Sequence, residues 1–194
     1  MAMYHEFRPT KDVDAWWTSD ANEEERDKLI QVLKDTLEQF GSVEERRFGD
    51  VVCLDLHKGG QVVFNFQIAR RSAQLRPTIS SPWKPVALDS FEDLVASKMT
   101  ALVERGIPRD FLDIYEICIN HLCSVNQCWQ LWKAREEKRG AKSIDSKVAK
   151  NAVLMHLKRI ERMRPLDLVK DNKAREHAET VREWFKNEFC FQKD

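Results

Sequence analysis

A lysine on a face that should be apolar constrains this chain more than any other feature. In residues 90 to 117, SFEDLVASKMTALVERGIPRDFLDIYEI, Leu94, Val95, Leu102 and Val103 recur at helical spacing, and Ser90 with Asp93 forms an N-terminal capping pattern. The spacing predicts an amphipathic helix over 91 to 105. Lys98 lies three or four residues from Leu94, Val95, Ala101 and Leu102, so its ammonium rises from the buried stripe, where an uncompensated charge is costly. It requires a partner. Gly106 ends the helix, Pro108 suits the first turn of the next, and Asp110 and Asp113 sit three apart on one face beside Ile114 and Ile117. Two helices joined by this short turn are expected to bring Lys98 and both aspartates into one polar cluster lined by apolar residues. On spacing alone, a structural ion cluster that fixes the hairpin is favoured over a functional site.

A second motif lies in residues 8 to 17, RPTKDVDAWW. On a strand, Val13, Ala15 and Trp17 face one side and Asp12, Asp14 and Trp16 the other, because side chains alternate with period two. Two neighbouring carboxylates repel unless a cation intervenes, and Mg²⁺ prefers carboxylate and phosphate oxygens. D-x-D on a strand is therefore a half-site for metal-bound triphosphate, although the pattern is also common in exposed turns.

Together the two motifs resemble a known family. K-x-x-A-L-x-x-R-G-x-x-R-D-x-x-D, running through Lys98, Ala101, Leu102, Arg105, Gly106, Arg109, Asp110 and Asp113, is similar to the signature of the nucleotidyltransferase-like AbiEii/AbiGii abortive-infection toxins of bacterial type IV toxin-antitoxin systems. R-x-T-K-D-x-D resembles that family's metal-binding motif, with Asp12 and Asp14 as the metal ligands and Arg8, Thr10 and Lys11 leading in. The resemblance covers roughly residues 2 to 120. It implies transfer of a nucleoside monophosphate from a Mg²⁺-bound nucleoside triphosphate to an acceptor hydroxyl, with transfer RNA or another RNA as acceptor and a cognate antitoxin as partner. Asp12, Asp14, Lys98, Asp110 and Asp113 would form the catalytic set; Arg8, Thr10, Lys11, Lys98, Arg105 and Arg109 would contact the nucleotide.

Two departures from the family pattern keep other readings open. The family carries a Gly-Gly or Gly-Ser element before D-x-D, whose backbone amides cradle the triphosphate, and here Met1 falls where that element has just ended. Either the chain starts at an internal methionine or it is a short form without the cradle. Nucleotidyltransferases also supply a third carboxylate from a later strand, and Asn65 stands in its expected place. An amide is no general base and a poorer Mg²⁺ ligand, so Asp55 on the neighbouring strand takes over or turnover is lost. A catalytically degenerate nucleotide-binding or regulatory relative, or a pure interaction protein, remains the alternative.

Composition limits the rest. The 194 residues, 42% of them apolar, can fill one core or a core with a helical extension. Lys plus Arg equals Asp plus Glu at 32 each, but residues 1 to 50 hold 13 acidic and 7 basic side chains, whereas 133 to 164 hold 4 acidic and 11 basic. That basic segment suits phosphates or a solvated helix face. No signal peptide and no bilayer-length apolar run is visible, so the cytosol is expected, with no membrane partner. Five cysteines, an odd count without paired C-x-x-C, imply reduced thiols rather than zinc.

The expected fold is α+β, with an α/β core over residues 1–89 and a helical region over 90–194. A helix at 22 to 40 is closed by Gly41, and strands at 50 to 56 and 61 to 69 form a hairpin around Lys58, Gly59 and Gly60, giving a small mixed sheet. Residues 70 to 89, with Arg70, Arg71 and Arg76, form a connecting loop. Helices at 125 to 139, 145 to 163 and 171 to 189 follow, broken near Gly140 and at Pro165.

Overall fold

The computed structural model describes Tyr4, Phe7 and residues 10 to 191, and the chain forms two compact units, Ala2–Ser72 and Ala73–Asp194. The first is a four-stranded mixed sheet with one helix. Strands β1 (Asp12–Trp16), β2 (Ser42–Phe48), β3 (Val51–Lys58) and β4 (Gln61–Ala69) lie in the order β1-β4-β3-β2, with β1 parallel to β4 and the other pairs antiparallel. The hairpin turns at Gly59 and Gly60, both at positive φ, a conformation that glycine adopts without a side-chain penalty.

Helix α1 (Glu23–Glu38) starts at a reciprocal cap: Glu25 N–H donates to Asn22 Oδ1 and Asn22 N–H to Glu25 Oε2, each at 3.0 Å. It places Ile30 against Val52 and Leu54, with Trp17, Leu33, Leu37, Val43 and Phe66 packed around them. Full burial of a side chain such as Leu54 stabilises by about 1.5–3 kcal/mol. One face of the sheet is therefore its core face. The helix ends at Glu38, two residues short of the expected 40, and the role of Gly41 is steric: a Cβ there would meet the His57 carbonyl oxygen.

Strand β2 carries no apolar alternation. It reads SVEERRF, yet it pairs with β3 along its whole length. As an edge strand it has one neighbour, and charged residues suit an exposed edge.

The second unit begins earlier than residue 90, because the Asp93 carboxylate accepts from the backbone N–H groups of Leu75 at 2.7 Å and Arg76 at 2.9 Å, and Arg135 donates to the Ala73 carbonyl. Two-residue strands β5 (Ile79–Ser80) and β6 (Ala87–Leu88) pair within the connecting segment. Helices α2 (Phe91–Glu104), α3 (Pro108–Ile119), α4 (Val125–Lys138), α5 (Ser146–Met163) and α6 (Asn172–Trp184) follow. Side-chain caps at Ser90, Ser124, Asp145 and Asp171 start four of them. A π-helical turn, Phe185–Phe189, continues α6 and buries both phenylalanines, so the chain stays helical to the predicted end. Phe185 meets Phe111 edge-on at 4.7 Å between ring centroids, and Phe189 lies 5.1 Å from Trp129.

All five cysteines are free. Cys118, Cys123 and Cys128 nevertheless meet: the sulfurs of Cys118 and Cys128 are 3.7 Å apart, and a hydrogen bond to Cys128 lowers the Cys123 thiol. Hydrogen bonds to Cys118 and Cys123, then burial, push the Cys128 thiol far up, and burial pushes Cys190 up to about 12. The folded state thus keeps the Cys190 proton that an unfolded chain releases near 9.0. Stability from this group is fully present below that value and is lost as pH rises toward about 12. The Cys190→Ala variant should lose less urea resistance than the unmodified chain between pH 9 and 11; parallel decline of the two curves would refute this.

Candidate functional site

Each unit carries part of the predicted site. In the first, β1 alternates as its sequence requires. Val13 pairs with Phe66, and Phe66 with Leu54, on the face that packs α1, which turns Asp12 and Asp14 to the opposite face. There the register aligns polar residues in two rows. Asp12, Asn65, Asp55 and Glu44 form one across β1, β4, β3 and β2; Asp14, Gln67, Cys53 and Arg46 form the other.

Within the first row, Asp55 is 5% exposed and accepts from Asn65 Nδ2 at 2.6 Å and from the Arg46 guanidinium. The hydrogen bond to Asp55 raises the Arg46 pKa further. Asp55 is thus committed to an ion pair and an amide, which leaves it poorly suited to act as a base. Asp12 is half-buried, Asp14 exposed, and Thr10 and Lys11 are exposed just before them. The Lys11 carbonyl accepts from Asn65 N–H at 2.9 Å and so fixes the start of β1 beside β4. Arg8 lies outside the described residues.

The resemblance to nucleotidyltransferases implies a divalent metal, and the donor chemistry here fits one. Two adjacent carboxylates with amide side chains in register beside them are hard oxygen donors of the kind Mg²⁺ takes. Among the described residues no group of three or more His, Cys, Asp or Glu side chains is arranged to hold a metal, consistent with an amide at position 65.

In the second unit, the helix hairpin sets a cation against each of the two buried aspartates of α3. Asp113 is fully buried and lies 2.8 Å from Lys98 Nζ, whose side chain keeps 22% of its exposure. Asp110, equally buried, takes both Nε and Nη2 of Arg105, at 3.0 and 2.9 Å, and accepts from Ile107 N–H at 3.1 Å to cap α3. Arg105 and Asp110 are therefore joined in holding the turn, and both cations reach solvent, Arg105 with 52% of its side chain exposed. Arg109, the second residue of α3, is half-buried.

Residues outside both motifs support this turn. Gly106 has φ +46°, and a Cβ there would lie 2.6 Å from the His156 side chain. His156 Nε2 is 3.1 Å from the Val103 carbonyl, and Arg159 donates to the Arg105 carbonyl at 2.6 Å. Neither α5 residue is detectable from the hairpin sequence, because their proximity depends on how α5 packs. Arg46 and Gln67 were equally hidden, since register alone places them beside the D-x-D strand.

A profile of the family described as Nucleotidyl transferase AbiEii toxin, Type IV TA system, matches residues 1–188. The chain belongs to this family of nucleotidyltransferase toxins, and the match extends through the helices beyond both motifs. No curated protein and no solved structure matches it. Among the described residues, no helix is long and apolar enough to cross a membrane.

Two stability measurements follow from the hairpin. Gly106→Ala should cost about 2–3 kcal/mol in urea unfolding, from left-handed backbone strain and the His156 clash; a cost below 0.5 would contradict the close packing. Lys98→Met should cost about 3 kcal/mol by taking the ammonium from a buried carboxylate, with most of it recovered in Lys98→Met/Asp113→Leu. Equal losses in the single and double variants would show that the pair is not the reason.

Proposed function

We propose that the protein transfers a nucleoside monophosphate from a nucleoside triphosphate to an acceptor hydroxyl, with RNA as the acceptor class. The observation that carries this reading is the carboxylate pair, Asp12 and Asp14, presented together on the sheet face opposite α1. These residues would hold Mg²⁺ and the phosphate oxygens it binds. When bound, the ion neutralises phosphate charge and lowers the pKa of a coordinated hydroxyl.

Lys98 supplies a point charge for phosphate oxygens, and Asp113 at 2.8 Å orients that ammonium. Asp110 acts through Arg105 and the cap of α3, so its part is to hold the hairpin that carries Lys98. The exposed Thr10 and Lys11 stand next to the metal pair in sequence and provide further phosphate contacts. The basic segment over 133 to 164 supports a polyanionic acceptor, transfer RNA among them, and membership of a toxin-antitoxin family supports a cognate antitoxin.

A second reading, nucleotide binding without turnover, is favoured by one observation: Asp55 is already paired with Arg46 and Asn65, so the neighbouring strand offers no uncommitted carboxylate in that row. Incubation with α-labelled nucleoside triphosphates, Mg²⁺ and total RNA decides between them. Transfer is expected for the unmodified chain, with a loss of about 100-fold or more in Asp12→Ala and Lys98→Ala. Label on RNA that persists undiminished in Asp12→Ala would defeat the metal role. Nucleotide binding without any transfer would establish the second reading.

A further inference from the structure

Two amides of β4 stand beside the carboxylates of β1, and their other neighbours set them in opposite senses. Asn65 gives its Nδ2 to Asp55 at 2.6 Å, while Gln67 accepts through Oε1 from the Cys53 thiol at 3.7 Å. A carboxylate can only accept, so the Asn65 amino group must face Asp55 and its oxygen must face the other way. The register Asp12, Asn65, Asp55 puts β1 on that other side. With its Oε1 accepting from Cys53 on β3, Gln67 turns its amino group toward Asp14 on β1. One amide thus presents an oxygen beside Asp12, and its neighbour presents N–H donors beside Asp14.

We propose that Arg46, Asp55 and Asn65 form a positioning relay that presents Asn65 Oδ1 as a third oxygen donor beside Asp12 and Asp14. The inference rests on the metal role proposed for that pair. Asp55 is not a ligand in this scheme. It is a positioning residue that acts through Asn65, and Arg46 holds it by an ion pair across β2 and β3. The relay accounts for a feature that is costly in isolation: a carboxylate 5% exposed, with one oxygen on a guanidinium and the other on an amide. It also assigns Asn65 a use, because a neutral oxygen donor in a site with two carboxylates holds the cation without adding a third mutually repelling charge.

The test is titration of the full chain with Mn²⁺ alone, free ion being followed by its paramagnetic resonance signal. Asn65→Leu and the apolar replacement Arg46→Met/Asp55→Leu are each expected to weaken Mn²⁺ binding roughly tenfold, and their combination no further, since both remove the same oxygen. The nearly isosteric Asp55→Asn should weaken it by about threefold, because an amide at 55 can donate to Asn65 and turn its oxygen away. A carboxylate at position 65 presents oxygen in either orientation and needs no relay. Asn65→Asp added to Arg46→Met/Asp55→Leu should therefore restore binding to at least the original affinity, a rescue that damage to the fold would not permit. The proposal is overturned if Asp55→Asn and Arg46→Met/Asp55→Leu bind Mn²⁺ like the unmodified chain, or if Asn65→Asp fails to rescue. Asp12→Asn separates the two levels of argument. Unchanged binding in that variant removes the metal role and the relay together; lost binding there, with normal binding in both Asp55 variants, removes the relay alone.

Discussion

Two aspartates with no solvent contact, Asp110 and Asp113, govern the arrangement of the helical unit. A buried carboxylate must be matched by a cation or by hydrogen bonds, and the chain meets that demand twice within one short hairpin. Arg105 approaches Asp110 from the end of α2, and Lys98 approaches Asp113 from two turns earlier on the same helix. With both pairs formed, α2 and α3 have little freedom to slide, and the apolar residues between them fall into place: Val95, Met99 and Leu102 against Phe111, Ile114 and Ile117. Solvent access then differs between the pairs. Asp110 is also tied to the backbone of Ile107, while Lys98 retains part of its exposure. Arg105, with 52% of its side chain exposed, is open to solvent as well, and more so than Lys98 at 22%.

The sheet unit resolves a comparable conflict by separating its faces. One face is apolar and packs α1 through Ile30. The other collects Asp12, Asp14, Asp55, Asn65, Gln67 and Arg46, residues that an apolar core could not hold. Alternation along β1, β4 and β3, regular from Val52 to Leu56 before the register shift at His57, makes this possible, because a one-residue slip would exchange the faces and drive the carboxylates into the core. The hydrophobic demand of α1 thus fixes where the carboxylates point. The chain belongs to a family of nucleotidyltransferase toxins, and the metal role proposed above rests on the polar face that this division creates.

Much of this was legible in the residues. Helical periodicity and caps located α2 through α6 to within a few residues, and Lys98 announced its need for a partner by breaking an apolar stripe. Strand β2 was not legible, since Glu44, Glu45, Arg46 and Arg47 give no apolar period; only pairing with β3 makes that segment a strand. Its absence from the sequence reading concealed Arg46, and with it the fact that Asp55 is already engaged. The segment joining sheet to helices read as a loop, but buried Asp93 binds its start to α2, a long-range bond that local composition does not encode.

The sequence by itself determined the helices and the strands with an apolar period, the alternation that aligns Asp12 with Asp14, and the identity of the charges that must be paired, because these depend on neighbours a few positions apart. Tertiary structure alone decided which aspartate meets which cation, how His156 and Arg159 buttress the Gly106 turn, and how Asn65 is held by Asp55. Those outcomes depend on register and helix packing, which bring within hydrogen-bonding distance residues from 5 positions apart, Arg105 and Asp110, to 54, Arg105 and Arg159, and the local pattern does not carry that information.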